Sequence, residues 1–169
     1  GVFTALLAAR KEYGGKKIVL HDADDRKLSY DDIIRAAFAL GSALKKGTRR
    51  GEAVGVMLPT GAGAVITFFA VNAYGRVPAM LNYSAGTDAM QAACEAAEIR
   101  TVITSRAFVE QAKLTDKLAG LKGVQLHYLE DIREQIGLGD KLWLIAYAIH
   151  FPRAFELPTS PEEAAVVLF

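Results

Sequence analysis

The sequence predicts an α/β fold: a mostly parallel, doubly wound sheet with helices on both faces and a small β-hairpin near its start. Three observations predict it. Short apolar runs alternate with helical stretches of about ten residues, the order of a chain that crosses over a sheet after each strand. The runs themselves, such as Ala53-Val-Gly-Val-Met-Leu58 and Thr101-Val-Ile-Thr104, are nearly continuously apolar, as strands covered on both faces are. Only one pair of strands, at 18–21 and 27–29, is joined by a loop short enough for a hairpin.

Residues 2–13 read as a short helix, and residues 18–21 as a strand. Asp22-Ala-Asp-Asp-Arg26 is a turn, and 27–29 the return strand. The next helix starts at Ser29 or Tyr30, with Asp31 and Asp32 placed favourably in its first turn. Ile33, Ala37, Leu40 and Leu44 recur on one of its faces, and Gly47 stops it after Lys45 and Lys46. The strand within 53–58 is followed by an apolar helix over 62–74, ended by Gly75. A strand at 77–81, an Ala-rich helix at 88–98, a strand at 101–104 and one helix over 108–118 follow. The pattern continues with a strand at 124–129, a short helix at 131–136 and an apolar helix from its Asp140 cap to about His150. A loop marked by Pro152, Pro158 and Pro161 leads to a last strand at 164–169. The loops at 120–123 and after Pro152 are the best boundary candidates, yet neither has the composition of a flexible linker. Residues 1–169 are therefore read as a single α/β segment.

Bulk properties exclude several classes. Apolar residues make up 51% and charged residues 23% of the chain, which suits a globular domain rather than a disordered one. Twenty basic residues against nineteen acidic ones leave a formal charge of +1, without the basic excess of a nucleic-acid binder. A single cysteine, Cys94, permits no internal disulfide and no thiolate metal cluster, which points to a reducing cytoplasm. The first residues lack the pattern of a signal peptide. The longest apolar run, 142–151, falls well short of the ~20 residues of a membrane span.

Few residues could carry chemistry. Thr60-Gly-Ala-Gly63 lies between a strand and a helix, as a dinucleotide loop does. That motif needs a third glycine, where Ile66 stands, and an acid after the next strand, which ends in Leu81-Asn82. An ordinary strand-to-helix turn with Thr60 as N-cap is the simpler reading. Asp22, Asp24 and Asp25 suggest a calcium loop, but the positions of its glycine and glutamate hold Lys27 and Ile33. His21, His127 and His150 have no partner at the spacing of a helical zinc site, and none has an Asp five positions later as glycerolipid acyltransferases do: Arg26, Ile132 and Phe155 stand there. Cys94, inside an Ala-rich helix, reads as an inert core residue. Lys45, Lys46, Arg49 and Arg50 form a solvated helix end or, on the sharper reading, a patch that docks an acidic partner. No Gly-Lys-Ser/Thr phosphate loop and no Gly-x-Ser-x-Gly elbow is present.

Several stretches, in order, resemble the start of the adenylate-forming (AMP-binding) acyl-activating enzymes. These are Lys27-Leu-Ser-Tyr-Asp-Asp-Ile33, Lys46-Gly-Thr-Arg-Arg-Gly-Glu-Ala-Val-Gly-Val-Met-Leu-Pro59, Phe69-Ala-Val-Asn-Ala-Tyr-Gly-Arg-Val-Pro78 and Ile103-Thr-Ser105. Gly75-Arg-Val-Pro-Ala-Met-Leu-Asn-Tyr-Ser-Ala-Gly86, Tyr128-Leu-Glu-Asp131 and Asp140-Lys-Leu-Trp143 are similar to one branch of that superfamily. It is the acyl-acyl-carrier-protein (acyl-ACP) synthetase part of the bifunctional enzymes that also carry a 2-acylglycerophosphoethanolamine acyltransferase.

The resemblance implies an N-terminal portion of an AMP-dependent synthetase/ligase large domain, from an enzyme of fatty-acid activation and phospholipid repair. That enzyme would use ATP and Mg, with a fatty acid and acyl carrier protein as partners, in the cytoplasm or at the cytoplasmic face of the inner membrane. In the family the phosphate loop follows a strand like Ala164-Ala-Val-Val-Leu-Phe169, so the expectation is a scaffold truncated before that loop and inactive by itself. Accordingly no residue is assigned a catalytic, cofactor-binding or metal-binding role. Three other readings stand beside it, the nearest being a fragment of an acyl-CoA synthetase. Leu142-Trp-Leu-Ile-Ala-Tyr-Ala-Ile149, apolar on every helical face, would suit self-association, a membrane surface or burial against the enzyme's missing remainder. The alternation of strands and helices alone would also suit a complete Rossmann-type protein.

Overall fold

A computed structural model describes residues 1–23, 25–136 and 167–168. The expected apolar helix at 142–149, its Asp140 cap and the proline-marked loop lie outside the described residues.

Helix α1 (Val2–Tyr13) buries Phe3, Leu6 and Leu7, a one-sided apolar stripe. Strands β1 (Ile18–His21) and β2 (Lys27–Ser29) pair antiparallel as the expected hairpin. Ser29 then starts α2 (Tyr30–Leu44) through a capping box: its hydroxyl accepts from the Asp32 amide, and the Asp32 carboxylate accepts from the Ser29 amide and hydroxyl. All four residues of the expected stripe, Ile33, Ala37, Leu40 and Leu44, are buried.

The chain then runs β3 (Ala53–Val56), α3 (Ala62–Ala73), β4 (Val77–Met80), α4 (Thr87–Ala96), β5 (Thr101–Thr104), α5 (Arg106–Gln111), α6 (Thr115–Ala119), β6 (Gln125–Tyr128), α7 (Leu129–Gln135) and β7 (Val167–Leu168). Among the described residues the main sheet has five strands in the order β6-β5-β3-β4-β7, and every pair is parallel. From β3 to β4 the chain steps one way across the sheet; from β4 to β5 and on to β6 it steps the other way. Right-handed crossovers must then place α3 on one face and α4 to α6 on the opposite face.

The core divides accordingly. On the first face, Phe3, Ile34, Phe38, Val71, Tyr74 and Ile132 from α1, α2, α3 and α7 pack over Val54 and Ile103. On the second, Met90, Cys94, Phe108, Val109 and Leu118 pack over Met57, Ala79 and Val102. This is the doubly wound α/β architecture expected from the sequence.

Three expectations are corrected. The helix expected over 108–118 is two helices, because Lys113 turns left-handed (φ 54°) and ends the first before α6 begins. Thr60 does not cap α3: its N-cap is Gly61, without a side-chain cap of its own. Strand β6 ends at Tyr128 and α7 begins at Leu129, earlier than the sequence suggested. Leu129 packs against the first core instead of extending the strand.

Candidate functional site at the carboxyl edge of the sheet

In doubly wound sheets, ligands bind where two neighbouring strands send their chains to opposite faces, outside the strands' carboxyl ends. Here those strands are β3, which leads to α3, and β5, which leads to α5. The floor of the crevice is closed. The Met57 amide donates to the Ile103 carbonyl (2.9 Å), and the fully buried Thr104 hydroxyl donates back to the Met57 carbonyl (2.8 Å).

One rim is the start of α3. Gly61 has φ 155° and ψ −170°, a region of backbone space that only glycine enters freely, and a Cβ there would lie 3.3 Å from Asp22 Oδ1. That approach lets Asp22, from the distant hairpin turn, reach the helix end. Its carboxylate accepts from the Ala62 amide (3.4 Å) and from Arg26 (2.5 Å). The Arg26 hydrogen bond, aided by the Ala62 amide, holds the Asp22 carboxyl below the usual aspartate range. A carboxylate thus already sits where a dinucleotide would place phosphate. Ile66, at the place of the third glycine, packs against the first core.

The other rim is the start of α5. Glu130, on α7 across the edge of the sheet, accepts from the Ser105 hydroxyl (2.7 Å), the Arg106 amide (3.1 Å) and the Ala107 amide (3.4 Å). Burial would raise its pKa, but these hydrogen bonds outweigh that and hold the carboxyl low. Beside it, Arg106 makes a two-pronged ion pair with Asp131 and lies 4.2 Å from the centre of the Tyr128 ring. Both helix ends at the switch point are therefore engaged by the protein's own carboxylates. The described residues of this crevice do not fit a nucleotide phosphate, and no three His, Cys, Asp or Glu side chains among them come together to hold a metal ion.

The other residues singled out in the sequence are scattered. His21 is exposed on β1 of the hairpin and His127 half-buried on β6 of the main sheet; His150 lies outside the described residues. Cys94 is buried in the second core, where desolvation, and Glu95 nearby, push its thiol pKa up and keep it unreactive. Asp22 is spent on α3, and Asp24 lies outside the described residues. Arg49 and Arg50 meet Arg100 around a cavity of about 390 Å³ at the opposite, amino edge of the sheet. Neither the Asp22 nor the Glu130 contact was foreseen; each joins residues more than twenty positions apart, with no local pattern to announce it.

The chain matches the family model for AMP-binding enzymes over residues 7–169. It belongs to the AMP-binding enzyme family. An acetyl-coenzyme A synthetase from Penicillium chrysogenum is 27% identical over 114 residues, 64% of this chain and 16% of that protein. The solved structure of VinN with 3-methylaspartate superposes with a TM-score of 0.72 at 22% identity, covering 98% of this chain and 43% of that one. The N-terminal domain of FACL13 from Mycobacterium tuberculosis gives a TM-score of 0.73 at 13% identity, covering 97% and 40%. At these identities the structural likenesses show the fold, which is that of the N-terminal domain of adenylate-forming enzymes. The chain spans 16% of that curated relative and 43% and 40% of the two solved chains. No helix among its described residues is long and apolar enough to cross a membrane.

Proposed function

We propose that this segment is the N-terminal scaffold of an ATP-dependent acyl-activating ligase, supplying much of one doubly wound sheet and little of the reacting chemistry. The family match over residues 7–169 carries the reading. The engaged helix ends at the switch point supply the reason for calling it scaffold. The whole enzyme would join a carboxylic acid to the α-phosphate of ATP, release pyrophosphate, and pass the acyl group to a thiol. Magnesium and fixed donors would stabilise the charge that builds on the phosphates; no step is assigned to these residues.

The finer reading is an acyl-ACP synthetase acting on fatty acids in phospholipid repair at the cytoplasmic face of the membrane. It is supported by Gly75-Arg-Val-Pro-Ala-Met-Leu-Asn-Tyr-Ser-Ala-Gly86 and Tyr128-Leu-Glu-Asp131. A second reading, an acyl-CoA synthetase, is favoured by the acetyl-coenzyme A synthetase relative. Fatty-acid-dependent pyrophosphate release by the full-length protein, with acyl carrier protein or coenzyme A as acceptor, decides between them. Turnover with carrier protein alone supports the finer reading, and turnover with coenzyme A alone supports the second. Absence of acid-dependent pyrophosphate release overturns both. Titration of the 169-residue chain with ATP and magnesium tests the scaffold reading. Micromolar binding would sink it.

A further inference from the structure

We propose that the amino edge of the sheet carries a binding site for a small, multiply charged phosphate anion of about the size of inorganic pyrophosphate. The cavity there is about 390 Å³ and is lined by Arg49, Arg50 and Arg100 together with Glu52 and Glu98. That volume lies within the roughly 300–1,000 Å³ of small-molecule sites. The arginines come from two separate parts of the chain, the turn before β3 and the residue before β5, and converge because β3 and β5 are neighbours. The guanidinium groups of Arg49 and Arg100 have no hydrogen-bond or ion-pair partner among the described residues, while Arg50 is already engaged. Of the two carboxylates, Glu52 is committed to its own turn, accepting from the Arg49 amide at 2.8 Å. The lining residues, three arginines and two glutamates, carry a formal excess of one positive charge. Their planar forks match phosphate oxygens in pairs, which a lysine ammonium does not.

Glu98 adds a second feature. It holds a left-handed backbone, φ 53°, just after the end of α4, a conformation in which glycine is the usual residue. Its carboxylate weakens the positive field of the cavity, so this position is the natural control of affinity. The site lies at the opposite edge of the sheet from the switch-point crevice and does not depend on the activity proposed above.

Calorimetric titration of the metal-free 169-residue chain with sodium pyrophosphate tests the proposal. Saturable binding of one anion with a dissociation constant of about 0.1–1 mM is expected. The double variant Arg49→Ala, Arg100→Ala should weaken it at least about tenfold, and Glu98→Gly should tighten it about threefold or more. Three results overturn the site: no saturable heat up to about 10 mM, an equal response to sodium chloride at matched ionic strength, or unchanged affinity in the double variant. Binding of poly-glutamate without binding of pyrophosphate also overturns it and assigns the patch to an acidic protein surface. If circular dichroism shows that the double variant has lost its fold, Glu98→Gly decides, and unchanged affinity there rejects the proposal.

Discussion

On one face of the sheet, Phe3, Phe38, Phe69 and Tyr74 lock three helices together edge to face, with ring centres 5.0–6.5 Å apart. On the other, Met90, Cys94, Phe108 and Leu118 come from three shorter helices and pack over the strands. The first face is a helix-to-helix core, where the backbones of α2 and α3 approach closely. The second is a layer laid over the strands by shorter helices, and two flexible methionines, Met57 and Met90, lie among its Leu, Val and Phe side chains and can shift to fill space. Substitutions should therefore cost more on the first face than on the second.

The largest expected effect is at Phe38, fully buried and in ring contact with both Phe3 and Tyr74. Phe38→Ala should destabilise by about 3–5 kcal/mol in urea unfolding followed by circular dichroism. Its counterpart on the second face, Cys94→Ala, removes only a sulfur from a pliable layer and should cost about 1 kcal/mol. Equal losses would refute the contrast.

Two glycines sharpen it. A Cβ on Gly41 of α2 would lie 2.5 Å from the Tyr74 ring and 2.6 Å from the Ala70 carbonyl oxygen. The second neighbour is backbone and cannot turn aside. The three atoms nearest a Cβ on Gly55 of β3 are side chains of the second face: Val102 at 2.7 Å, Leu81 at 3.0 Å and Ile99 at 3.2 Å. Gly41→Ala should cost about 3 kcal/mol and Gly55→Ala about 1 kcal/mol, measured by the same unfolding. The reverse order would mean that the α2–α3 interface yields more easily than the strand layer.

Arg76 carries the comparison to the seam between α2 and the sheet. Its guanidinium donates to the Thr48 hydroxyl (3.0 Å) and to the carbonyls of Tyr74, Lys45 and Thr48, closing the loop after α2 against the start of β4. Arg76→Met keeps the stem and removes all the donors, so about 2 kcal/mol should be lost. An unchanged unfolding midpoint would show that water replaces the guanidinium there.

Much of this architecture was legible in the sequence because local patterns carried it. The hairpin ends, the Ser29 start of α2 and its buried stripe all follow from spacings within a few residues. The break between α5 and α6 was not legible, since it falls at Lys113, and lysine seldom marks a left-handed turn. Nor were the contacts that define the crevice. Asp22 looked like part of an exposed turn until the fold brought it to Ala62, forty positions away. Glu130 fell between the strand and the helix expected there, with no role, yet it serves the start of another helix on the opposite face. The basic turn at Arg49 and Arg50 was visible, but its convergence with Arg100 required the β3–β5 pairing.

The smallest expected effect concerns how the two faces respond to acid. Helix α2, on the first face, starts with the Ser29–Asp32 capping box, whereas α4, on the second, has Gly86 at its N-cap and no side-chain cap. Hydrogen bonds from the Ser29 hydroxyl and amide hold the Asp32 carboxyl below the ordinary aspartate value, with Arg35 assisting. A carboxyl whose folded pKa is depressed stabilises the protein above its unfolded pKa of about 4 and loses that contribution as pH falls through the folded value. Asp32→Ala should therefore cost about 1 kcal/mol at neutral pH, and the gap to the parent chain should narrow in acid. Urea unfolding of both chains at about pH 7, 5 and 3 measures it, the window that the depressed pKa defines. A gap that stayed constant or widened in acid would mean that α2 is held by its packing against α3 alone and that its first turn contributes nothing to the firmness of that face.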